Sequence, residues 1–226
     1  MGGNAAEFVV TAGPTREYLD PVRFLSNPST GRMGFAVAQA AARRGCRVTL
    51  VAGPVSLPTP RGVKRIDVTS AREMEKRAVE VVSAAKGKCV FVSTAAVADW
   101  RPAKCAATKL KKGSSHSMTL RLVRNPDILK SLSRRRGQGA FRARLKLVGF
   151  AAETGDPSSE AMRKLRAKGL DFIVANDVSA PGCGFAVPTN RAVFFMRDGS
   201  RVEWPMMSKL DLARRIVSKA LEEDKR

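Results

Sequence analysis

The sequence is poor in the side chains on which much acid–base and redox chemistry depends. It holds one histidine, His116, and one tyrosine, Tyr18, among 226 residues. A single histidine excludes a histidine metal cluster. His116 lies in Lys112-Gly-Ser-Ser-His-Ser, a run without hydrophobic pattern, where an imidazole is simply exposed, so Ser-His-Asp and Cys-His nucleophiles find no support. One tyrosine near the N-terminus also removes the Tyr-x-x-x-Lys dyad of a short-chain dehydrogenase. The four cysteines, Cys46, Cys89, Cys105 and Cys183, are scattered and form no CxxC pair. That argues against a structural zinc or a disulfide framework and fits a reducing compartment. They read as small packing residues rather than nucleophiles.

Long apolar runs are missing too. The stretch 145–152 is among the longest, still contains Lys146, and is far too short to span a bilayer. Residues 1–6 lack the basic-then-apolar pattern of a signal peptide. The expectation is a cytoplasmic chain with no membrane partner. Aromatic residues make up only 6%, and no RNP-like or zinc-finger pattern occurs. Acidic residues are few: 20 Asp and Glu face 41 Lys and Arg, a formal net charge of +21. The imbalance concentrates in 101–147, where fourteen basic residues accompany one acid, Asp127. Such a stretch can meet nucleic acid, a membrane surface or a polyanionic small molecule, and a solvated surface satisfies it equally. The scarcity of aromatics argues against specific nucleic-acid binding.

What is present reads as one α/β domain over 1–226, with a mostly parallel sheet wrapped by helices. Phe8–Ala12 predicts a strand that ends in Gly13-Pro14, followed by a long polar loop over 13–31. A helix over 35–44 ends at Gly45, and 47–52 is a second strand. Ser70 and Glu73 form a capping box for a helix carrying Met74, Ala78, Val81, Val82 and Ala85. Cys89–Val97 reads as a central strand. Asn125-Pro126-Asp127 reads as a helix start, with a cap, a proline in the first turn and an acid beside it. Strands over 145–152 and 172–176 flank a helix opened by Asp156-Pro157 and closed by Gly169. A hairpin about Asp198-Gly199 and a helix capped by Ser208 complete the chain. The segment 99–118 has little pattern and reads as a flexible basic loop.

Ligands of open parallel sheets sit outside the carboxyl ends of the strands. Those ends carry Gly13-Pro14-Thr15-Arg16, Thr94–Asp99, Phe150–Thr154 and Asn176-Asp177. The run Ser29-Thr30-Gly31 leads into a helix and can offer hydroxyls and backbone N–H groups to an anion, although a turn with capping residues has the same composition. Lys109-Leu-Lys111-Lys112 suits a flap closing over a triphosphate; a solvated loop suits it too. Lys164 and Lys168 share a helix face, beside ordinary surface charges. Asp99 can face a metal or a ribose, or cap a turn. With histidine absent from any site, the remaining chemistry uses lysine, arginine, amide dipoles and Mg²⁺, the profile of phosphoryl or nucleotidyl transfer.

Together these residues resemble the phosphopantothenoylcysteine synthetase family. The blocks are Thr11–Glu17, Asp20–Asn27 through Thr30–Gly34, Gly53–Pro60, Ala95–Asp99, Lys109–Lys112, Asn125–Leu129, Gly149–Thr154 and Ala175–Val178, in family order over roughly 8–220. The resemblance implies a Rossmann-like fold with helices on both faces of the sheet, a homodimer, and ligation of 4′-phosphopantothenate to L-cysteine through an acyl-nucleotidylate. Asn125–Leu129 and the flap, about 103–117, are similar to the CTP-using bacterial branch, with ATP as the alternative nucleotide. By the same similarity Asn27, Arg23 and Lys109 are catalytic. Gly13, Ser93, Thr94, Ala95, Asp99, Lys109, Pro126, Asp127, Ile128, Leu129, Phe150, Lys164 and Lys168 fall on nucleotide-binding positions. Asn27, Ala95 and Ala96 fall near the pantothenate part. Mg²⁺ is expected on the nucleotide phosphates, with Asp99 as a further candidate ligand, and a separate decarboxylase is a candidate partner. Departures from the family's usual pattern are Pro14, Pro28-Ser29-Thr30, Arg32 and a loose Gly182–Asn190 segment.

Overall fold

Phe8, Val10 and Ala12 alternate with Val9 and Thr11 along the first strand, and this alternation sorts the molecule into two layers about one sheet. The structure, a computed structural model, describes residues 5–113, 116–138, 145–177, 179–180, 182–184 and 187–222. In chain order the elements begin with β1 (Glu7–Ala12), β2 (Arg16–Tyr18), β3 (Phe24–Ser26), α1 (Arg32–Arg43), β4 (Arg47–Ala52), β5 (Val63–Asp67), α2 (Ala71–Ala84) and β6 (Cys89–Ser93). They continue with β7 (Trp100–Pro102), β8 (Leu122–Arg124), α3 (Ile128–Gly137), β9 (Leu145–Glu153), α4 (Ser158–Ala167), β10 (Phe172–Asp177), β11 (Thr189–Met196), β12 (Arg201–Ser208) and α5 (Lys209–Leu221).

The main sheet has eight strands in the order β12-β11-β10-β9-β6-β1-β4-β5. Strands β5 to β10 in that order run parallel, and β11 and β12 are antiparallel. The chain winds outward from β1 to β5, then returns through α2 to β6 on the other side. The winding direction therefore reverses between β1 and β6, which opens a crevice at their carboxyl ends in this Rossmann-like arrangement. Helices α1 and α5 cover one face over Phe8, Val10, Leu50, Val148 and Phe194. Helices α2, α3 and α4 cover the other over Val9, Val51, Phe91, Leu147 and Ile173. A side chain as fully buried as Phe91 or Leu132 contributes about 1.5–3 kcal/mol.

Several sequence expectations need correction. The polar loop over 13–31 contains the β2–β3 hairpin, whose register pairs Arg16 with Ser26 and Tyr18 with Phe24. Three-residue strands give too short an alternation to read. Helix α1 starts at Arg32 rather than 35, because Gly31 at φ 76° turns the chain without a side-chain cap. The strand expected to reach Val97 stops at Ser93, where the chain turns into the crevice. Asn125 is not the cap of α3. Asp127 caps it, accepting from the Lys130 N–H at 3.0 Å, while Pro126 precedes the helix. The segment 99–118 is not uniformly a loop, because Trp100–Pro102 pairs antiparallel with Leu122–Arg124 and makes a stem beneath the basic residues. Strand β5 adds an edge to the sheet beyond the strands read from the sequence. In the capping box Ser70 accepts from Glu73 N–H at 3.3 Å, but Glu73 returns its bond to Thr69 N–H at 2.8 Å rather than to Ser70. The hairpin, the Ser208 cap and the Gly169 stop, with φ 58°, are present as expected. Residues 1–4, residues 114 and 115 of the flap, Val178, and residues 185 and 186 of the loose segment lie outside the described residues.

Candidate active site

Beyond their last ladder pairs, β1 and β6 stay laced together. Thr94 Oγ1 donates to Thr11 O at 2.6 Å, Ala96 N–H donates to Gly13 O at 2.9 Å, and Pro14 bridges Ala96. The crevice is thereby narrowed to a cleft with a cavity volume of about 70 Å³. It lies between the start of α1 and the ends of β6, β9 and β10. Ser29, Thr30, Gly31 and Arg32 form one wall, Thr94 and Phe150 the floor, and Asn176, Asn190 and Lys209 the far side. Asn176 and Asn190 are both buried, and Asn176 Nδ2 donates to Asn190 Oδ1 at 3.3 Å, which orients the two amides. Among the described residues no acid lines this cleft, whereas hydroxyls, amides, two cations and a helix N-terminus do. Such a lining suits a polyanion. A broader groove under β4 and β5, lined by Arg16, Arg65, Asp67 and Glu73, contains none of the predicted site residues.

Asn27 stands at the mouth of the crevice. Its Nδ2 donates to Ala96 O at 3.0 Å, so two of the three predicted pantothenate-side residues are joined directly. Ser26 Oγ donates to Thr15 O at 2.8 Å and Thr15 Oγ1 accepts from Ala98 N–H at 3.0 Å, which ties the β2–β3 hairpin to the turn after β6. Thr94 and Phe150 line the cleft, and Ser93 and Gly13 flank it through the strands. Ala95 packs instead toward the second core layer.

Arg23 and Lys109 are linked by a residue that the sequence did not single out. Asp20, its side chain fully buried, accepts from the Val22 and Arg23 backbone N–H groups through Oδ1, both at 2.8 Å. Its Oδ2 accepts from Arg23 Nε at 3.0 Å and Nη2 at 2.6 Å, and from Leu110 N–H at 3.1 Å. Arg23 Nη2 also donates to Leu110 O at 2.7 Å. Burial alone would raise the Asp20 carboxyl, but the Arg23 guanidinium and the three N–H donors outweigh it and hold the group well below the usual carboxylate range. The residue after Lys109 is thus clamped on both its N–H and its C=O. Ala106 N–H adds a bond to Leu19 O at 2.8 Å. The only sequence trace of the clamp is the Asp-x-x-Arg spacing.

The remaining predicted positions gather at the starts of α3 and the end of α4. Ile128 and Leu129 are buried; Lys168 pairs with Asp127 at 2.9 Å, and Lys164 with Glu153 at 2.7 Å. Each pair is half-exposed and worth no more than about 1 kcal/mol, so a ligand phosphate can displace either carboxylate. Pro126 is half-buried, and Asp99 is exposed, outside the cleft lining. Asn125 joins this group to the crevice: its Nδ2 donates to Ala98 O at 2.8 Å, and its N–H donates to Asp99 O at 2.8 Å. Among the described residues no three His, Cys, Asp or Glu gather to hold a metal, and no helix is long and apolar enough to cross a membrane. Part of the basic excess is structural. Arg136 binds Asp171 and Leu145 O, and Arg65 binds Asp67, Leu57 O and Val55 O.

The family model for the DNA/pantothenate metabolism flavoprotein C-terminal domain matches residues 4–223. The coenzyme A biosynthesis bifunctional protein CoaBC of Bacillus subtilis (strain 168) is 48% identical over 210 residues, covering 92% of this chain and 49% of that protein. Its Escherichia coli (strain K12) counterpart is 47% identical over 196 residues, covering 86% of this chain and 46% of that protein. The chain thus spans about half the length of the curated relatives it matches. The crystal structure of a CoaBC C-terminal domain superposes with a TM-score of 0.76 at 35% identity, covering 95% of this chain and 93% of that one. A Cab2 mutant in complex with phosphopantothenate-cysteine has the same fold, with a TM-score of 0.72 at 15% identity, covering 96% of this chain and 85% of that one. By sequence, over nearly its whole length, and by fold, the chain belongs to the DNA/pantothenate metabolism flavoprotein C-terminal domain family.

Proposed function

We propose that this chain is a phosphopantothenate–cysteine ligase of coenzyme A biosynthesis that activates 4′-phosphopantothenate with CTP. The observation that carries this reading is the cation-lined cleft at the crevice, with Asn27 bonded to Ala96 two residues from the lining residues Ser29 and Thr94. It is supported by the relatives' role in coenzyme A biosynthesis and by the ligand of the Cab2 structure. In the first step a carboxylate oxygen of 4′-phosphopantothenate attacks the α-phosphorus, and pyrophosphate leaves with the electron pair of the broken P–O bond. The cysteine amine then attacks the acyl carbon, CMP departs, and the nitrogen loses a proton.

In this reading the Asn27 amide, oriented by Ala96 O, donates to oxygens whose charge changes along the path. Lys109 and its flap close over the phosphates and exclude water from an acyl phosphate that hydrolysis would waste. Lys164 and Lys168 exchange their carboxylate partners for the nucleotide. Neutral amides and hydroxyls at the cleft fit a Mg²⁺ that arrives on the nucleotide phosphates and neutralises their charge, better than they fit a dedicated protein site. In this reading the domain works in the cytoplasm, alongside a phosphopantothenoylcysteine decarboxylase. Pyrophosphate release with 4′-phosphopantothenate, Mg²⁺ and either CTP or ATP, with and without cysteine, tests the reading. Release with CTP that accelerates with cysteine is expected; release with ATP alone changes the nucleotide, and none with either overturns the ligase. Asn27→Asp removes the amide donor and sets a carboxylate against Ala96 O, and turnover is expected to fall about 10²–10³-fold. Turnover within a few-fold of wild type would remove Asn27 from the chemistry.

The homodimer is assigned to the two small hairpins. Tyr18, Phe24, Trp100 and Leu122 are all exposed on β2, β3, β7 and β8, and β2 packs beside β7. Arg16 lies 4.6 Å from the Phe24 ring centre and Arg124 lies 5.4 Å from that of Trp100. Apolar patches of this kind mark association surfaces. Trp100→Glu is expected to convert a dimer to a monomer by light scattering. A dimer unaffected by the charge would move the interface elsewhere, β12 and β5 being the two edges of the main sheet.

A further inference from the structure

Among the described residues three charged side chains are buried: Glu17, Asp20 and Lys209. Asp20 closes the flap clamp and Lys209 lines the cleft, which leaves Glu17 without a task. It is the middle residue of β2 and only 4% of it is exposed, while Arg16 and Tyr18 on either side face the other way. Taking a carboxylate out of water is costly unless it is hydrogen-bonded. Glu17 Oε1 accepts from Ala71 N–H at 2.9 Å, and Ala71 is the first residue of α2. That bond satisfies one of the N–H groups a helix leaves open at its start, and it sets a carboxylate at the positive end of the helix dipole. Ser70 Oγ already serves Glu73 N–H, so the helix has a cap of its own and Glu17 comes in addition to it. Beside this contact, Arg16 N–H donates to Thr69 O at 2.8 Å. Strand β2 is therefore fastened to the start of α2 by two bonds, one of them charge-assisted.

The two ends of this link differ in firmness. Helix α2 has 14 residues, buries Ala71, Met74, Ala78 and Val82, and packs on β1 and β4. The β2–β3 hairpin has three residues per strand, and a hairpin of that size has little stability of its own. Phe24 and Ser26 are exposed, and Leu25, opposite Glu17, is only half-buried. The hairpin thus takes its place from its attachments. It ends at Ser26, the residue before Asn27, and Ser26 is paired with Arg16. The strand that Glu17 holds is the one against which Asn27 is aligned.

We infer that Glu17 is a positioning residue of the ligase: it ties the hairpin to α2 and so sets the Asn27 amide at the reacting carboxyl group. This rests on the ligase reading and adds to it a residue that touches no substrate. The link makes one demand that a merely structural carboxylate does not. Whatever Glu17 contributes to turnover must pass through Asn27, and a displacement of about 1 Å there costs on the order of 100-fold.

The test is a double-mutant cycle between Glu17→Ala and Asn27→Asp, read as pyrophosphate release with 4′-phosphopantothenate, CTP, Mg²⁺ and cysteine. Glu17→Ala alone is expected to lower kcat about 100-fold with KM for CTP changed only a few-fold. In the Asn27→Asp protein the same substitution should cost only a few-fold more. Glu17→Gln, whose amide oxygen can still accept from Ala71 N–H, should stay within a few-fold of wild type. Ser70→Ala weakens the same helix end without touching the hairpin, and its kcat should be that of wild type. Should Glu17→Ala fail to fold, Glu17→Asp reads the same link, because its carboxylate stops one methylene short of Ala71; its kcat should fall where that of Glu17→Gln does not. Losses that multiply in the cycle, a folded Glu17→Ala as active as wild type, or an equal loss in Ser70→Ala overturns the inference and leaves the ligase intact. A wild-type chain that releases no pyrophosphate with either nucleotide overturns the ligase reading and this inference with it.

Discussion

Asp20→Asn is expected to lower turnover about 100-fold while leaving the fold in place, a loss typical of a reacting group displaced by about 1 Å. The division of labour between the two oxygens of Asp20 sets the result. Oδ1 holds the turn through Val22 and Arg23 N–H, and an asparagine oxygen can do the same. Oδ2 faces only donors: the Arg23 guanidinium and Leu110 N–H. An amide NH₂ in that position meets donors with a donor, so the turn survives and the clamp opens. Leu110 is then released on its N–H side, Arg23 loses its orienting carboxylate, and Lys109 next to it loses its place. Faster hydrogen exchange at Leu110, with unchanged far-UV circular dichroism, is the signature that separates a positioning role from general destabilisation. Turnover and exchange both equal to wild type would show that the clamp does not position the flap. The pH dependence has a definite sign. The folded carboxyl titrates below its ordinary range, so the clamp's contribution is fully present above that range and is lost only as pH falls through the lowered value. Acidification to pH 5 should leave Leu110 protected.

The elements legible in the sequence are those whose signals are local. The Ser208 cap, the Gly169 stop and the Asp198-Gly199 hairpin depend on a few adjacent residues, and each is where the sequence placed it. The parallel strands showed because burial on both faces leaves continuous apolar runs such as Val90-Phe-Val. The small hairpins did not show, since three-residue strands offer a single alternation and β7–β8 is closed by pairing across some twenty intervening residues. Asn125 illustrates the limit well. The Asn-Pro-Asp run correctly announced a helix, but which polar residue caps it was decided by Ala98 and Asp99, both distant in sequence. For the site, the motif blocks offered Asn27, Arg23, Lys109 and Phe150 as candidates, and the strand end offered Thr94; of these the cleft lining contains Thr94 and Phe150. Asp20 and Glu17 stayed invisible as individuals: one looks like half of a surface ion pair, the other like any acid in a polar loop. Only the packing of the hairpin against the flap and the start of α2 buries them, and burial is what gives an ordinary charge a specific task.

Gly34→Ala is expected to cost about 1–3 kcal/mol of stability and to impair nucleotide binding as well, because α1 and the cleft share this contact. A Cβ at Gly34 would lie 2.4 Å from Thr94 Oγ1 and 2.5 Å from Ala12 Cβ, distances that real side chains do not tolerate. Neither neighbour can yield easily. Ala12 is fully buried in β1, and Thr94 is held by its 2.6 Å bond to Thr11 O across the crevice. The helix must therefore lift at its N-terminal end, carrying Gly31 and Arg32 away from the cleft wall. A displacement of that order can cost 100-fold in affinity or turnover. Gly45, at the other end of α1, provides the contrast. Its φ of +75° makes alanine strained there, but nothing lies within 4 Å of its added Cβ. Gly45→Ala should thus lower the melting temperature by a similar order while leaving nucleotide affinity unchanged. Two alanines, one within α1 and one just past its C-terminal cap, both destabilising and only the first harming binding, would show that the contact of Gly34 with Thr94 holds the cleft in shape. If both variants bind nucleotide as wild type does, the start of α1 does not form the site; if both fail alike, the loss belongs to the stability of the helix and not to its placement.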